Sequence, residues 1–180
     1  MNFGFFNFNN AYSIRPDDLA VALEERGYDS LWLGEHTHMP VDQSTPYIID
    51  GATTPMPYAH IMDPFVSLMA AAGVTKTLKL ATGICLLIQR DPIVTAKEVA
   101  TLDVLSSGRV IFGIGAGWNV DEIENHGTPF KERWEILRER VEAMKRIWTE
   151  EQAAYAGKHV NFGPILSFPK PVLKQTPSTG

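Results

Sequence analysis

Short apolar runs alternate along the chain with stretches where apolar residues recur every three or four positions. Residues 2–8, rich in Phe, predict a first strand. A helix follows, with Pro16 at its first position, where a missing N–H costs nothing. Leu19, Ala20 and Leu23 form its apolar stripe, and Gly27 suits its end. Residues 29–34 predict a second strand, 78–84 a third and 109–115 a fourth. Asp63-Pro64 and Asp91-Pro92 each place a capping carboxylate before a helix-starting proline. Residues 131–150 carry the clearest helical period, with Trp134, Leu137, Val141, Met144 and Trp148 as the stripe and a charged face opposite. Between strand two and the next helix runs a long excursion with four prolines and no strong period. Loops of that length in compact domains are functional or mobile.

Strand alternating with helix is the pattern of a parallel sheet with right-handed crossovers. The third and fourth strands are apolar on both faces, as a helix-covered sheet requires. The tail, residues 164–180, holds four prolines and is expected to add no strand. Four βα units are legible, whereas a closed (β/α)₈ barrel takes about 250 residues. This pattern alone fits either an open four-stranded α/β sheet or half of a barrel.

The 180 residues include 16 Lys and Arg against 21 Asp and Glu, a formal charge of −5. No basic patch points to nucleic acid or lipid. Cys85 is the only cysteine, so no intrachain disulfide can form, which fits a reducing cytoplasm. No basic leader precedes the first aromatics, and no apolar run is long enough to span a bilayer.

Several segments, in order, resemble the luciferase-like monooxygenase family. They are Glu-Arg-Gly-Tyr-Asp-Ser-Leu-Trp-Leu-Gly-Glu-His at 25–36, Asp-Pro-Ile-Val-Thr-Ala-Lys at 91–97, and Ala-Thr-Leu-Asp-Val-Leu-Ser-Ser-Gly-Arg at 100–109. Gly-Ile-Gly-Ala-Gly-Trp-Asn at 113–119 follows, with Glu122, Gly127, Phe130 and Arg133. The match runs from about residue 2 to about residue 172. It implies a TIM-type parallel (β/α) barrel, here one partial domain over 1–180, with the first four βα units and truncated before strand five. It further implies an F-420-dependent (deazaflavin) oxidoreductase that transfers hydride to or from C5 of the coenzyme, acts on a small molecule and is a homodimer at full length. FMN is the alternative cofactor, in a flavin monooxygenase. A non-catalytic fragment is the alternative outside enzymology, because barrel phosphate sites commonly use the loops after strands seven and eight.

The resemblance makes His36, just past strand two, the histidine beside the deazaflavin ring. A neutral imidazole there can exchange a proton with a substrate hydroxyl. By the same resemblance Phe6 and Asn7, at the end of strand one, face the ring. Thr82-Gly83-Ile84 ends strand three, and its counterpart in deazaflavin members is a cis peptide bulging behind the ring. Gly113, Gly115 and Gly117 depart from the dinucleotide fingerprint, because Trp118 breaks the spacing. They still permit close backbone approach to a flat ligand. Gly115 and Ala116 would line the ring, and Trp118 and Asn119 edge the pocket. Trp118 stands where some sugar-oxidising members carry a catalytic Glu. His36-x-His38 could bind a metal on one strand face, but the further ligands such sites need are lacking, and no metal is expected. Tyr47, Ile48, Ile49 and Tyr58 suggest a partly apolar lid. Asp103 and Arg109 are expected to form a structural ion pair, and His60, His126 and His159 to be loop or surface residues.

Overall fold

The apolar runs become four parallel strands: β1 Gly4–Asn7, β2 Ser30–Leu33, β3 Lys79–Cys85 and β4 Val110–Ile114, in that order in one sheet. The computed structural model describes residues 1–47, 49, 51 and 54–172. Successive side chains of a strand alternate between faces, so register sorts them. Phe6 pairs with Trp32, Trp32 with Ala81 and Ala81 with Ile111, which puts these four on one face. Leu31, Leu80 and Val110 form a row on the other face, with Leu33, Thr82 and Phe112 above it.

That second face is the core. Helices α1 Pro16–Glu25, α2 Pro64–Val74, α3 Pro92–Leu105 and α5 Arg133–Thr149 cover it. They pack in chain order, α1 on α2, α2 on α3 and α3 on α5. Leu19, Leu68, Val99 and Met144, one from each helix, join Leu31, Leu33 and Leu80 in a single apolar cluster. The caps are as the sequence predicts. Asp63 accepts from the Val66 N–H, Asp91 from those of Ile93 and Val94, and Gly27 takes a φ of +76° after α1. The result is a partial barrel whose concave face carries no helix. Phe6 is consequently 49% exposed. No helix among the described residues is long and apolar enough to cross a membrane.

Three expectations need correction. In α5 Trp134 is 62% exposed, while Ile136, Ala143 and Ile147 are buried with Leu137 and Met144. Val141 and Trp148 pack against the same core, so the stripe holds except at its first residue, which turns out to solvent. The tail from residue 164 is not strandless at its start, since Pro164 sits within β6 Asn161–Ile165, which forms an antiparallel hairpin with β5 Ala153–Ala156. Buried Glu139 holds its turn by accepting from the N–H groups of Lys158, His159 and Val160. Arg109 does not pair with Asp103. Its guanidinium donates to the carbonyls of Ala72, Thr75, Leu78 and Ser106, so it tethers the end of α2 to the starts of β3 and β4. Asp103 accepts from the Val172 N–H.

Glu24, at the end of α1, makes a similar tether. Its carboxylate accepts from the N–H groups of Lys76, Thr77 and Leu78 and from the Thr77 hydroxyl, just ahead of β3. Desolvation raises its pKa, but these donors outweigh that and bring it down to about 2. A depressed folded-state pKa adds stability above the unfolded-state value, and that stability is lost as pH falls through the folded one. Discounted for the water around it, the tether contributes about 1–2 kcal/mol. Urea unfolding of Glu24→Ala is expected to show that deficit at pH 7. The gap to the parent chain should narrow below pH 4 and close near pH 2.

Candidate functional site

In a parallel sheet with helical crossovers, all the strands end at the same edge. That edge holds a cavity of about 190 Å³ lined by Phe6, Phe8, Gly34, Glu35, His36, Tyr58, Ile61, Gly83, Ile84, Leu86, Gly117 and Trp118. Complete ligand pockets run to about 300–1,000 Å³, so this cleft is one side of such a site.

The ends of β2 and β3 are locked together beneath it. Buried Glu35 accepts from the Leu86 N–H at 2.6 Å and from Arg90 Nε at 2.6 Å. Arg90 also bridges Asp63 and Glu98, which ties the start of α2 and the side of α3 to the same point. Cys85 is fully buried beside this network, and burial pushes its thiol pKa well up, so it is no nucleophile. β3 breaks register between Thr82 and Cys85, and the Gly83–Ile84 peptide there is cis.

His36 follows Glu35 and enters the cavity with one ring nitrogen engaged. Nδ1 lies 2.7 Å from Oε2 of Glu122, and Oε1 of the same carboxylate accepts from the Thr37 N–H at 3.2 Å. Glu122 is 1% exposed. It stands in the first turn of α4 Val120–Asn125, whose cap is Asn119, and the Asn119 side chain accepts from the Glu122 N–H. Around the His36 ring, Tyr58 lies at 5.0 Å and Trp118 at 6.1 Å between centroids. Tyr47 and Tyr58 share a hydroxyl contact of 3.0 Å, and Tyr47 meets the Trp118 edge. Desolvation, then the Tyr47 contact, raises the Tyr58 pKa.

The excursion after β2 is pinned over this edge. Asp121 of α4 accepts from the N–H and hydroxyl groups of both Ser44 and Thr45. The Ser44 hydroxyl first, then the Thr45 groups, hold this carboxyl below its ordinary range against desolvation. Of the four residues read as a lid, Tyr47 is buried, Tyr58 lines the cavity and Ile49 is exposed. Ile48 lies outside the described residues.

The residues singled out in the sequence divide. His36, Phe6, Gly83, Ile84, Gly117 and Trp118 line the cavity. Asn7 does not. It pairs with Leu33 and so falls on the helix-covered face, where its Nδ2 is buried without a hydrogen-bond partner. Thr82 shares that face, and its hydroxyl donates to the Gly113 carbonyl. Ala116 belongs to the core cluster, and Asn119 is the cap of α4. Gly115 stands one layer behind the cavity, where a Cβ would overlap Cδ1 of Ile84.

Sequence reading missed Glu122 as a site residue, although Asn119-x-x-Glu122 is a legible capping pattern. A capping-box glutamate turns back to its own helix end, whereas this one turns to His36. Glu35 and Arg90 were missed as well, because their pairing spans 55 residues. His126, expected as a loop or surface residue, shares the Thr37 hydroxyl with His38. Desolvation, then His38, lowers its pKa. His36 and His38 do not converge on a common point. Nδ1 of His36 faces Glu122, while His38 contacts Thr37 and Asn125. Among the described residues no three His, Cys, Asp or Glu side chains gather as a metal site would need.

Glycines at 34, 83 and 117, aromatic walls and one tethered imidazole suit a flat ring with a polar edge. An uncharacterized protein of Mycobacterium tuberculosis is 42% identical over 98% of this chain and 64% of its own length. An F420-dependent glucose-6-phosphate dehydrogenase of Amycolatopsis mediterranei is 32% identical over 83% of this chain and 43% of its own. A monooxygenase from Streptomyces bottropensis superposes with a TM-score of 0.81 at 27% identity, covering 98% of this chain and 52% of that one. A type II Baeyer-Villiger monooxygenase from Pseudomonas putida, solved with FMN, has a TM-score of 0.78 at 24% identity, covers 98% of this chain and 50% of that one, and shows the fold alone. The chain thus spans between 43% and 64% of the length of these proteins. The family model described as luciferase-like monooxygenase matches residues 15–179, and the chain belongs to that family.

Proposed function

We propose that residues 1–180 are the cofactor-facing half of one barrel domain in an F420-dependent oxidoreductase that acts on a small-molecule alcohol or carbonyl compound. The same reading makes the full-length protein a cytoplasmic homodimer. The observation that carries it is His36, held by Glu122 through one ring nitrogen at a cleft floored by glycine and walled by aromatic residues. Support for the deazaflavin comes from the relative of 32% identity, named as F420-dependent.

The residues present fit the ring of such a group. Gly34, Gly83 and Gly117 leave backbone where side chains would fill the cleft, and Phe6, Ile84 and Trp118 offer flat or apolar walls. Among the described residues no Lys or Arg lines the cavity, so the phosphate-bearing tail would rest on other residues. When bound, the deazaflavin supplies hydride acceptance or donation at C5. His36 holds or takes the hydroxyl proton of the substrate through Nε2. Glu122 keeps the ring aimed, and the tyrosine pair with Trp118 shields that edge from water. FMN in the same cleft, in a flavin monooxygenase, is the second reading, and the structure of 27% identity is named as a monooxygenase.

Thermal unfolding by circular dichroism, with and without excess coenzyme F-420 or FMN, tests this. Ligand at one hundred times its dissociation constant adds about 2.7 kcal/mol to the folded state. A midpoint raised by F-420 and not by FMN is the expected result. A shift with FMN alone would move the function to flavin chemistry, and no shift with either would leave a non-catalytic fragment.

Gly115→Ala probes the cleft from behind. Its new methyl would overlap Cδ1 of Ile84, so that cavity-lining side chain must shift, at a stability cost of about 1 kcal/mol because Ile84 is partly exposed and can yield. Cofactor fluorescence titration is expected to show affinity about 10-fold weaker, a loss of 1.4 kcal/mol. Unchanged affinity would place the ring elsewhere.

A further inference from the structure

We infer that Glu122 is a positioning residue that sets the proton inventory of His36. It holds the neutral ring as the Nδ1–H tautomer and leaves the Nε2 lone pair for the cavity. This deepens the proposed function, because it decides whether His36 meets a ligand as an acceptor or as a donor. The tautomer itself is a property of the chain without any ligand.

Three features of the structure carry the inference. An ionised carboxylate only accepts hydrogen bonds. With Glu122 in that acceptor-only form, the ring nitrogen 2.7 Å from Oε2 brings the proton, since otherwise two lone pairs would face each other. Next, the carboxylate is not free to turn. Oε1 takes the Thr37 N–H, and the Asn119 cap fixes the Glu122 backbone, so rotation would give up contacts on both sides. Finally, Glu122 is buried, and the Thr37 N–H and His36 Nδ1 are the carboxylate's partners that offset its desolvation. Once Nδ1 is committed, Nε2 is the ring atom left to a ligand at the cleft that His36 lines. A protonated Glu122 donating to a bare Nδ1 is the opposite arrangement. It would leave an Nε2–H donor in the cavity and make His36 unable to accept a substrate proton.

The experiment is long-range ¹H–¹⁵N correlation of the ring nitrogens in the ¹⁵N-histidine-labelled chain. The His36 signals are identified by their loss in His36→Asn. For the neutral ring the expected pattern is a protonated Nδ1 and an unprotonated Nε2. The reverse pattern overturns the inference, and this reading needs no variant at Glu122. In Glu122→Ala the acceptor is gone, and a tautomer preference of about 10-fold or more, typical of a charge-assisted bond, should fall away with it. A folded Glu122→Ala chain that keeps the Nδ1–H ring also overturns the inference. The two proposals fail separately. The absence of any cofactor shift in the melt, with the Nδ1–H pattern intact, removes the proposed function alone. A cofactor shift with the reverse tautomer removes only the role of Glu122.

Discussion

Parallel strands can be hydrogen-bonded neighbours only if the chain crosses back over the sheet between them, and that crossover constrains everything else in this molecule. Each return, made by α1, α2 and α3, buries an apolar helix face on the same side of β1 to β4. All four strands therefore run out at one edge, and the segments leaving them meet there. Phe6, His36, Gly83 and Trp118 are far apart in sequence and come from four successive strand ends, yet they line one cleft. The opposite face of the sheet, where Phe6, Trp32, Ala81 and Ile111 align, would be the inside of a closed barrel.

What holds that edge in shape is a set of carboxylates that accept from distant backbone. Glu35 takes the Leu86 N–H, and Glu122 takes that of Thr37. At the other end of the sheet Glu24 takes three N–H groups ahead of β3, and Glu139 does the same for the β5–β6 hairpin. Burying a carboxylate is costly, and several charge-assisted hydrogen bonds are what offset that cost. Each of these groups converts a solvation penalty into a tether between segments with no sequence proximity. Arg109 does the converse, a cation satisfied by carbonyls rather than by an acidic partner. Glu122 differs from the other carboxylates, because one of its donors is a side chain in the cleft. On the proposed function, the same bond that fixes the fold there also orients the group offered to a ligand.

Local physics made a good part of this legible beforehand. Asp63-Pro64 and Asp91-Pro92 specify helix starts by themselves, since a cap carboxylate and a fixed φ act within one turn. The four strands could be read from apolar runs, and the position of His36 after the second strand follows from chain order. Tertiary structure alone decided the rest. Asn7 and Phe6 are adjacent, and only the pairing register puts one behind the sheet and the other in the cleft. Trp134 continues a helical period in sequence, yet the core that α5 meets selects Ile136 and Ile147, because the angle at which a helix docks is set by its neighbours. The pairings of Glu122 with His36 and of Glu35 with Arg90 span 86 and 55 residues. The sequence determined which groups were available and where each strand and helix began, because those preferences are local. Which groups met was decided by the packed sheet, because only there is a carboxylate deprived of water and made to find its partner.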